Sequence, residues 1–139
     1  MAFNGYLIKI GGANGTIFPF KFMKVEGYNA TPNQRMETEA KRAVTGLLHR
    51  NTVEHTATKI EFNTPNMTNL DVDEMMTIFR NAWTNRIERK LTIEYYDTET
   101  NTYKEAEVYM PDIKFEIDHI DLGLNLIYYK EIRVAFIEY

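Results

Sequence analysis

The sequence predicts a mainly β, α+β chain: an antiparallel β-sandwich or open barrel with one flanking amphipathic helix at about residues 69–84. Three observations carry this. Several segments alternate apolar and polar residues with a period of two, most clearly Thr56 to Phe62 and Leu91 to Tyr96. Eight Phe, nine Tyr and one Trp enrich the chain in residues that suit a pleated, half-buried surface. One stretch carries apolar residues at helical spacing. The 139 residues fit one domain, 1–139.

Tyr6 to Ile10 reads as a first strand. Gly11-Gly12-Ala13-Asn14-Gly15 is a turn, and Ile17 to Phe20 resumes an extended run in which Pro19 favours an edge or bulge. Phe22 to Tyr28 is a further extended candidate. Residues 29–57 are expected to form a loop or arm. Within them, Gln34 to Val44 reads equally as a polar helix, although Met36, Ala40, Ala43 and Val44 make a thin apolar face. Gly46 to Asn51 reads as a turn with two apolar anchors, Leu47 and Leu48.

Thr58, Ile60 and Phe62 share one strand face opposite Lys59 and Glu61, and Thr64-Pro65-Asn66-Met67 breaks that strand. Thr68 and Asn69 are good helix N-caps, and Asp71, Asp73 and Glu74 favour the positive end of a helix dipole. Val72, Met75, Met76, Phe79, Ala82 and Trp83 then form one stripe.

The remainder reads as β. Leu91 to Tyr96 and Tyr103 to Met110 flank a hairpin loop at Asp97 to Thr102. Ile113, Phe115 and Ile117 alternate with Lys114, Glu116 and Asp118. A turn at Asp121-Leu122-Gly123 leads to Leu124 to Tyr129, then to a last strand from Ile132 to Tyr139. That last strand has one face of Ile132, Val134, Phe136 and Glu138, which suits a core. Its other face holds Arg133, Ala135, Ile137 and Tyr139. This second face is too apolar for plain solvent and is expected under the helix or against a neighbouring subunit.

Composition narrows the function classes. The net charge of -4 disfavours binding that works by neutralising nucleic-acid phosphates. The chain has no cysteine, which removes disulfide scaffolds, thiolate metal sites and cysteine nucleophiles. It has no serine, which removes serine hydrolase chemistry. Met-Ala-Phe-Asn-Gly-Tyr lacks a basic region followed by an apolar stretch, so no signal peptide is expected, and no apolar run is long enough to span a membrane.

No catalytic, cofactor-binding or metal-binding constellation is expected, and the chain is not expected to be an enzyme. His49 and His55 lie six residues apart in a loop and at a strand start, which implies no shared face. Asp71-Val72-Asp73-Glu74 resembles the opening of a calcium loop but has Met76 and Ala82 where a glycine and a glutamate are needed. The glycine-rich turn is followed by Thr16-Ile17-Phe18-Pro19, which fits neither a P-loop nor a dinucleotide fingerprint. Glu105 and Glu107 read as solvent-facing charges of a strand.

Gly5 to Ile10, Gly46 to Asn51, Lys59 to Pro65, Tyr109 to Ile113 and Ala135 to Tyr139 resemble stretches of short, uncharacterised proteins encoded in the tail region of phages and prophages of Gram-positive bacteria. The resemblance implies a non-enzymatic tail structural component with a fold like that of tail-tube or distal-tail proteins. It implies a homo-oligomeric ring, hexameric in many such proteins, and contacts with other tail proteins. It also implies a place in the virion tail after synthesis in the host cytoplasm. Under that reading the segment near 33–55 is a candidate assembly arm. Tyr96, Tyr109, Tyr128, Tyr129, Ile137, Tyr139, Leu47 and Leu48 are candidate interface residues. The rival reading is a small ligand-binding β-barrel module with a deep interior pocket.

Overall fold

A seven-stranded antiparallel sheet, one α-helix and a three-stranded antiparallel sheet enclose a single apolar core. The computed structural model describes residues 3–42 and 48–139, with side chains at 3–31 and 57–139. In chain order the elements are β1 (Ile8–Ile10), β2 (Thr16–Ile17), β3 (Asn29–Arg42), β4 (Leu48–Asn63), β5 (Met67–Thr68), α1 (Asn69–Ala82), β6 (Lys90–Asp97), β7 (Thr102–Tyr109), β8 (Ile117–Asp121), β9 (Leu126–Tyr129) and β10 (Arg133–Glu138). The large sheet runs β2-β1-β6-β7-β10-β4-β3, and the small one runs β5-β9-β8. Among the described residues the large sheet ends at β2 and β3 instead of closing, so the sandwich form is the one adopted.

The first turn depends on its glycines. Gly11 and Gly12 have φ of 101° and 91°. A Cβ on Gly15 would lie 2.1 Å from the Ile10 carbonyl oxygen. The expected strand at Ile17 to Phe20 is shorter, because β2 stops at Ile17.

Phe22 to Tyr28 is not a strand. It forms two 3-10 turns, Phe20–Phe22 and Val25–Gly27, with the Phe22 N–H donating to the Pro19 carbonyl and the Met23 N–H to that of Phe20. The adjacent Phe22 and Met23 are both buried, which alternating strand faces would not permit.

Residues 29–42 and 48–63 pair as a long antiparallel hairpin, with register shifts between Thr31 and Gln34, Arg35 and Met36, and Glu37 and Glu39. Gln34 to Arg42 is therefore extended and not helical. Helix propensity here is outweighed by pairing with β4, since an apolar stripe that would hold a helix on the core is missing. Val44 and Leu47 lie outside the described residues.

The helix follows its sequence signals. The Thr68 Oγ1 accepts from the Asp71 N–H at 3.3 Å, and the Asp71 carboxylate accepts from the Thr68 N–H at 3.4 Å, which closes a capping box. Met75 and Phe79 are fully buried. Phe79 stacks on Phe18 at 5.4 Å and meets Phe136 edge-on at 5.9 Å.

β10 takes a central place in the large sheet, between β7 and β4. Its Ile132, Val134 and Phe136 face is fully buried, and α1 covers Phe136. The helix thus lies over this face and not over Ala135, Ile137 and Tyr139, which removes the first of the two covers expected for that second face. On that second face Ala135 is buried by the flanking strands, whereas Ile137 is half-buried and Tyr139 exposed. A latch ties the start of β10 to the end of β4: the Thr64 N–H donates to the Ile132 carbonyl at 2.8 Å, and the Ile132 N–H donates to Thr64 Oγ1 at 3.0 Å.

The alternation at Ile113 to Ile117 produces no strand before β8 begins at Ile117. Within that stretch the Glu116 carbonyl receives a backbone bond, from the Lys130 N–H, and Ile113 instead packs its side chain against the core. Alternation without a neighbouring ladder does not make a strand.

Candidate assembly surfaces

The interior of the sandwich is filled. Phe18, Phe22, Phe62, Phe79 and Phe136 form a continuous ring cluster with centroid separations of 5.4–6.4 Å. A ligand-binding barrel needs a hollow here, and these rings occupy it. Among the described residues, clefts open at the surface. One of about 330 Å³ is lined by Lys24, Pro65, Asn66 and Glu131, and one of about 240 Å³ by Gly27, Asn29, Glu61, Phe62, Asn63 and Arg133.

At one end of the core sits a polar group. Asp97 is fully buried at the end of β6, with the Lys104 Nζ 2.8 Å away and the Glu99 N–H donating to it at 2.8 Å. Burial pushes the Asp97 carboxyl up, but the Lys104 ammonium and the backbone donors outweigh it and hold the group below its ordinary range. The same contact raises Lys104. Burial raises the neighbouring Tyr95 and Tyr28 phenols. This arrangement ties down the β6–β7 hairpin and is closed to a substrate.

The face of the large sheet away from the core is aromatic and charged. Tyr6 stacks on Tyr103 at 4.5 Å, and its hydroxyl donates to Glu94, a bond that pushes the phenol up to about 12. Tyr96 meets Phe3 and Tyr103 edge-on and donates to Asn101 at 3.1 Å. Tyr109 packs on Tyr139 at 5.4 Å, with the Lys90 Nζ 5.0 Å above the Tyr139 ring. Glu105 accepts from the Ala13 N–H at 3.0 Å, and Glu107 lies 3.8 Å from Lys90, so neither carboxylate is set as half of a catalytic pair.

The structure therefore divides the candidate interface residues. Tyr96, Tyr109, Ile137 and Tyr139 lie on this outer face. Tyr128 and Tyr129 lie on β9 in the small sheet, where His119 stacks on Tyr128 at 4.4 Å and Phe115 meets Tyr129 at 6.4 Å. Leu47 lies outside the described residues, and Leu48 is described in its backbone alone, at the start of β4.

Two exposed apolar features were not singled out by the sequence. The β8–β9 hairpin exposes Ile117, Ile120, Leu122 and Leu124 by 51%, 56%, 83% and 65%. Ile87, in the turn after α1, is 97% exposed. The signals were present: apolar residues three apart in an acidic strand, and an isoleucine inside a charged run.

Metal chemistry finds no support among the described residues, which contain no group of three or more metal-type ligands. The His119 Nδ1 sits 2.7 Å from Asp118. The His49 and His55 side chains are outside the described ones. Asp71, first in the calcium-like run, caps its helix. Among the described residues no helix is long and apolar enough to cross a membrane.

The architecture defines a mainly β domain whose core is closed and whose distinctive surfaces are exposed strands and aromatic clusters. The chain belongs to DUF6711, a family of unknown function, whose model matches residues 1–139. No curated protein matches it. Among solved structures it is similar to a chain in one described as the tail of an empty GTA particle computed with helical refinement and C6 symmetry. The TM-score is 0.53 at 13% identity, covering 99% of this chain and 95% of that one. The two share a fold over nearly their whole length.

Proposed function

We propose that the chain is a non-enzymatic structural component of a phage or prophage tail. It works by self-association into a ring and by contact with neighbouring tail proteins. The observation that carries this reading is the end-to-end similarity in fold to a chain from the tail of a C6-symmetric GTA particle. That symmetry favours six subunits. The filled core and the exposed apolar strands support the reading from the side of physics, because such patches serve contacts more readily than catalysis. On this reading the protein is made in the cytoplasm of a Gram-positive host and ends in the virion tail. The β3–β4 hairpin reaches neighbouring subunits, and Tyr109, Tyr128, Tyr129, Ile137 and Tyr139 contribute to the contacts.

The test is direct. Size-exclusion chromatography with light scattering, followed by electron microscopy, should show rings of one stoichiometry for the chain alone or with the proteins of adjacent genes. A strict monomer at the highest attainable concentration, indifferent to those neighbours, would sink the proposal.

A further inference from the structure

The chain holds two Asn-Gly pairs, Asn4-Gly5 and Asn14-Gly15. Asparagine before glycine is open to attack from the backbone, because the glycine has no Cβ to hinder closure of a ring between its nitrogen and the asparagine side chain. The fold treats the two pairs differently. At the second, the Gly15 N–H donates to the Gly12 carbonyl at 2.9 Å, and a Cβ on Gly15 would lie 2.1 Å from the Ile10 carbonyl oxygen. Ring closure there has to break this bond and move Gly15 away from the end of β1.

At the first pair, Asn4 and Gly5 are both exposed, and Gly5 has a left-handed φ of 87° with nothing within 4 Å of the place a Cβ would take. Among the described residues its N–H has no hydrogen-bond partner. The residues on either side are tied down. The Tyr103 hydroxyl accepts from the Asn4 N–H at 2.8 Å and donates to the Tyr6 carbonyl at 2.7 Å. The Phe3 ring meets Tyr96 edge-on at 5.8 Å. Residues 3–6 thus form a strap over Tyr96 and Tyr103, and Gly5 is its free link.

We infer that Asn4-Gly5 is a site of spontaneous conversion to aspartate and isoaspartate, and that isoaspartate there releases the strap from Tyr96 and Tyr103. The Gly5 nitrogen gives its proton to solvent and attacks the Asn4 Cγ. The new C–N bond closes a succinimide as the Cγ–Nδ2 bond breaks, and Nδ2 leaves as ammonia with a proton from solvent. Water then adds to one of the two imide carbonyls. Cleavage at Cγ gives aspartate; cleavage at the backbone carbonyl gives isoaspartate, in which the main chain runs through the former side chain. The net change consumes water and releases ammonia. Isoaspartate adds a methylene to the main chain between the Asn4 N–H and the Tyr6 carbonyl, the two groups that the Tyr103 hydroxyl holds. Both bonds cannot keep their geometry across the longer link. Conversion therefore uncovers Tyr96, one of the candidate interface aromatics, independently of the ring reading.

The folded chain is held in warm, mildly alkaline buffer made with heavy-oxygen water and then cut after Lys9 and Lys21, which puts the two asparagines on separate peptides. Mass spectrometry should find heavy oxygen, and isoaspartyl methyltransferase should find isoaspartate, in the Asn4 peptide. Asn14 should convert about tenfold more slowly, because its hydrogen bond has to open first. In urea the two should convert at similar rates. Asn14 keeping pace with Asn4 in the folded chain, or Asn4 converting only in urea, would overturn the site. The isoaspartate form, separated by its extra negative charge, should be nitrated at Tyr96 about two- to tenfold faster than the fresh chain, the range set by loss of one aromatic contact. Asn4→Asp adds the charge without the methylene and should keep the slow rate, and Asn4→Gln should gain no reactivity on ageing. An isoaspartate form nitrated no faster than the fresh chain, or an Asn4→Asp chain nitrated as fast as the isoaspartate form, would overturn release of the strap.

Discussion

Asp97 shows at the scale of one residue how a buried charge is retained. Its carboxylate lies at a core-facing strand position, and Lys104 and the Glu99 N–H offset the cost of burial. Because its folded value is depressed, its contribution to stability is complete above about pH 4 and is lost as pH falls through the folded value. Lys104 is raised, so its share is complete below about pH 10 and is lost as pH rises through its folded value. Asp97→Asn should therefore lower the melting temperature at pH 7 and flatten its decline as the pH falls below about 4. A melting series across pH, with the acid limb unchanged in the variant, would contradict this. Such a role was hidden in the sequence, where Asp97 looked like the first residue of a loop.

The elements differ in how openly the sequence declares them. The N-cap was readable to within Thr68 or Asn69, the structure settles it as Thr68 in a capping box with Asp71, and Thr68→Ala should cost about 1 kcal/mol in urea unfolding. β6, β7 and the hairpin between them were readable because alternation, turn residues and pairing all agree. The faces of β10 were readable but their neighbours were not. Phe136→Ala should cost about 3–5 kcal/mol, since its ring is fully buried against Phe79 and Phe62, while Tyr139→Ala should cost only about 0.5–1.5 kcal/mol, the worth of its edge-on contact with Tyr109. Chemical denaturation of the two variants separates these outcomes. Phe22 to Tyr28 and Ile113 to Ile117 misled because alternation is a local signal and a strand needs a partner. Residues 29–42 misled in the other direction: their polar residues favour helix or loop locally, yet β4 supplies a ladder.

At the scale of the whole molecule, the fold closes its apolar core yet leaves the β8–β9 hairpin and the turn after α1 with exposed apolar side chains. The candidate interface was partly legible, since aromatics in strands mark large contact area, but Tyr96 is largely engaged by Phe3, Tyr103 and Asn101 of its own chain. The sequence by itself determined the fold class, the helix with its cap, the β6–β7 hairpin and the lack of cysteine and serine chemistry. All of these follow from composition or from contacts between near neighbours in the chain. Only the tertiary structure decided the sheet order, the central place of β10, the covering of Phe136 by α1 and the exposure of Ile87 and Ile120. Those depend on pairings between residues far apart in sequence, and periodicity within one segment carries no information about which other segment will cover it.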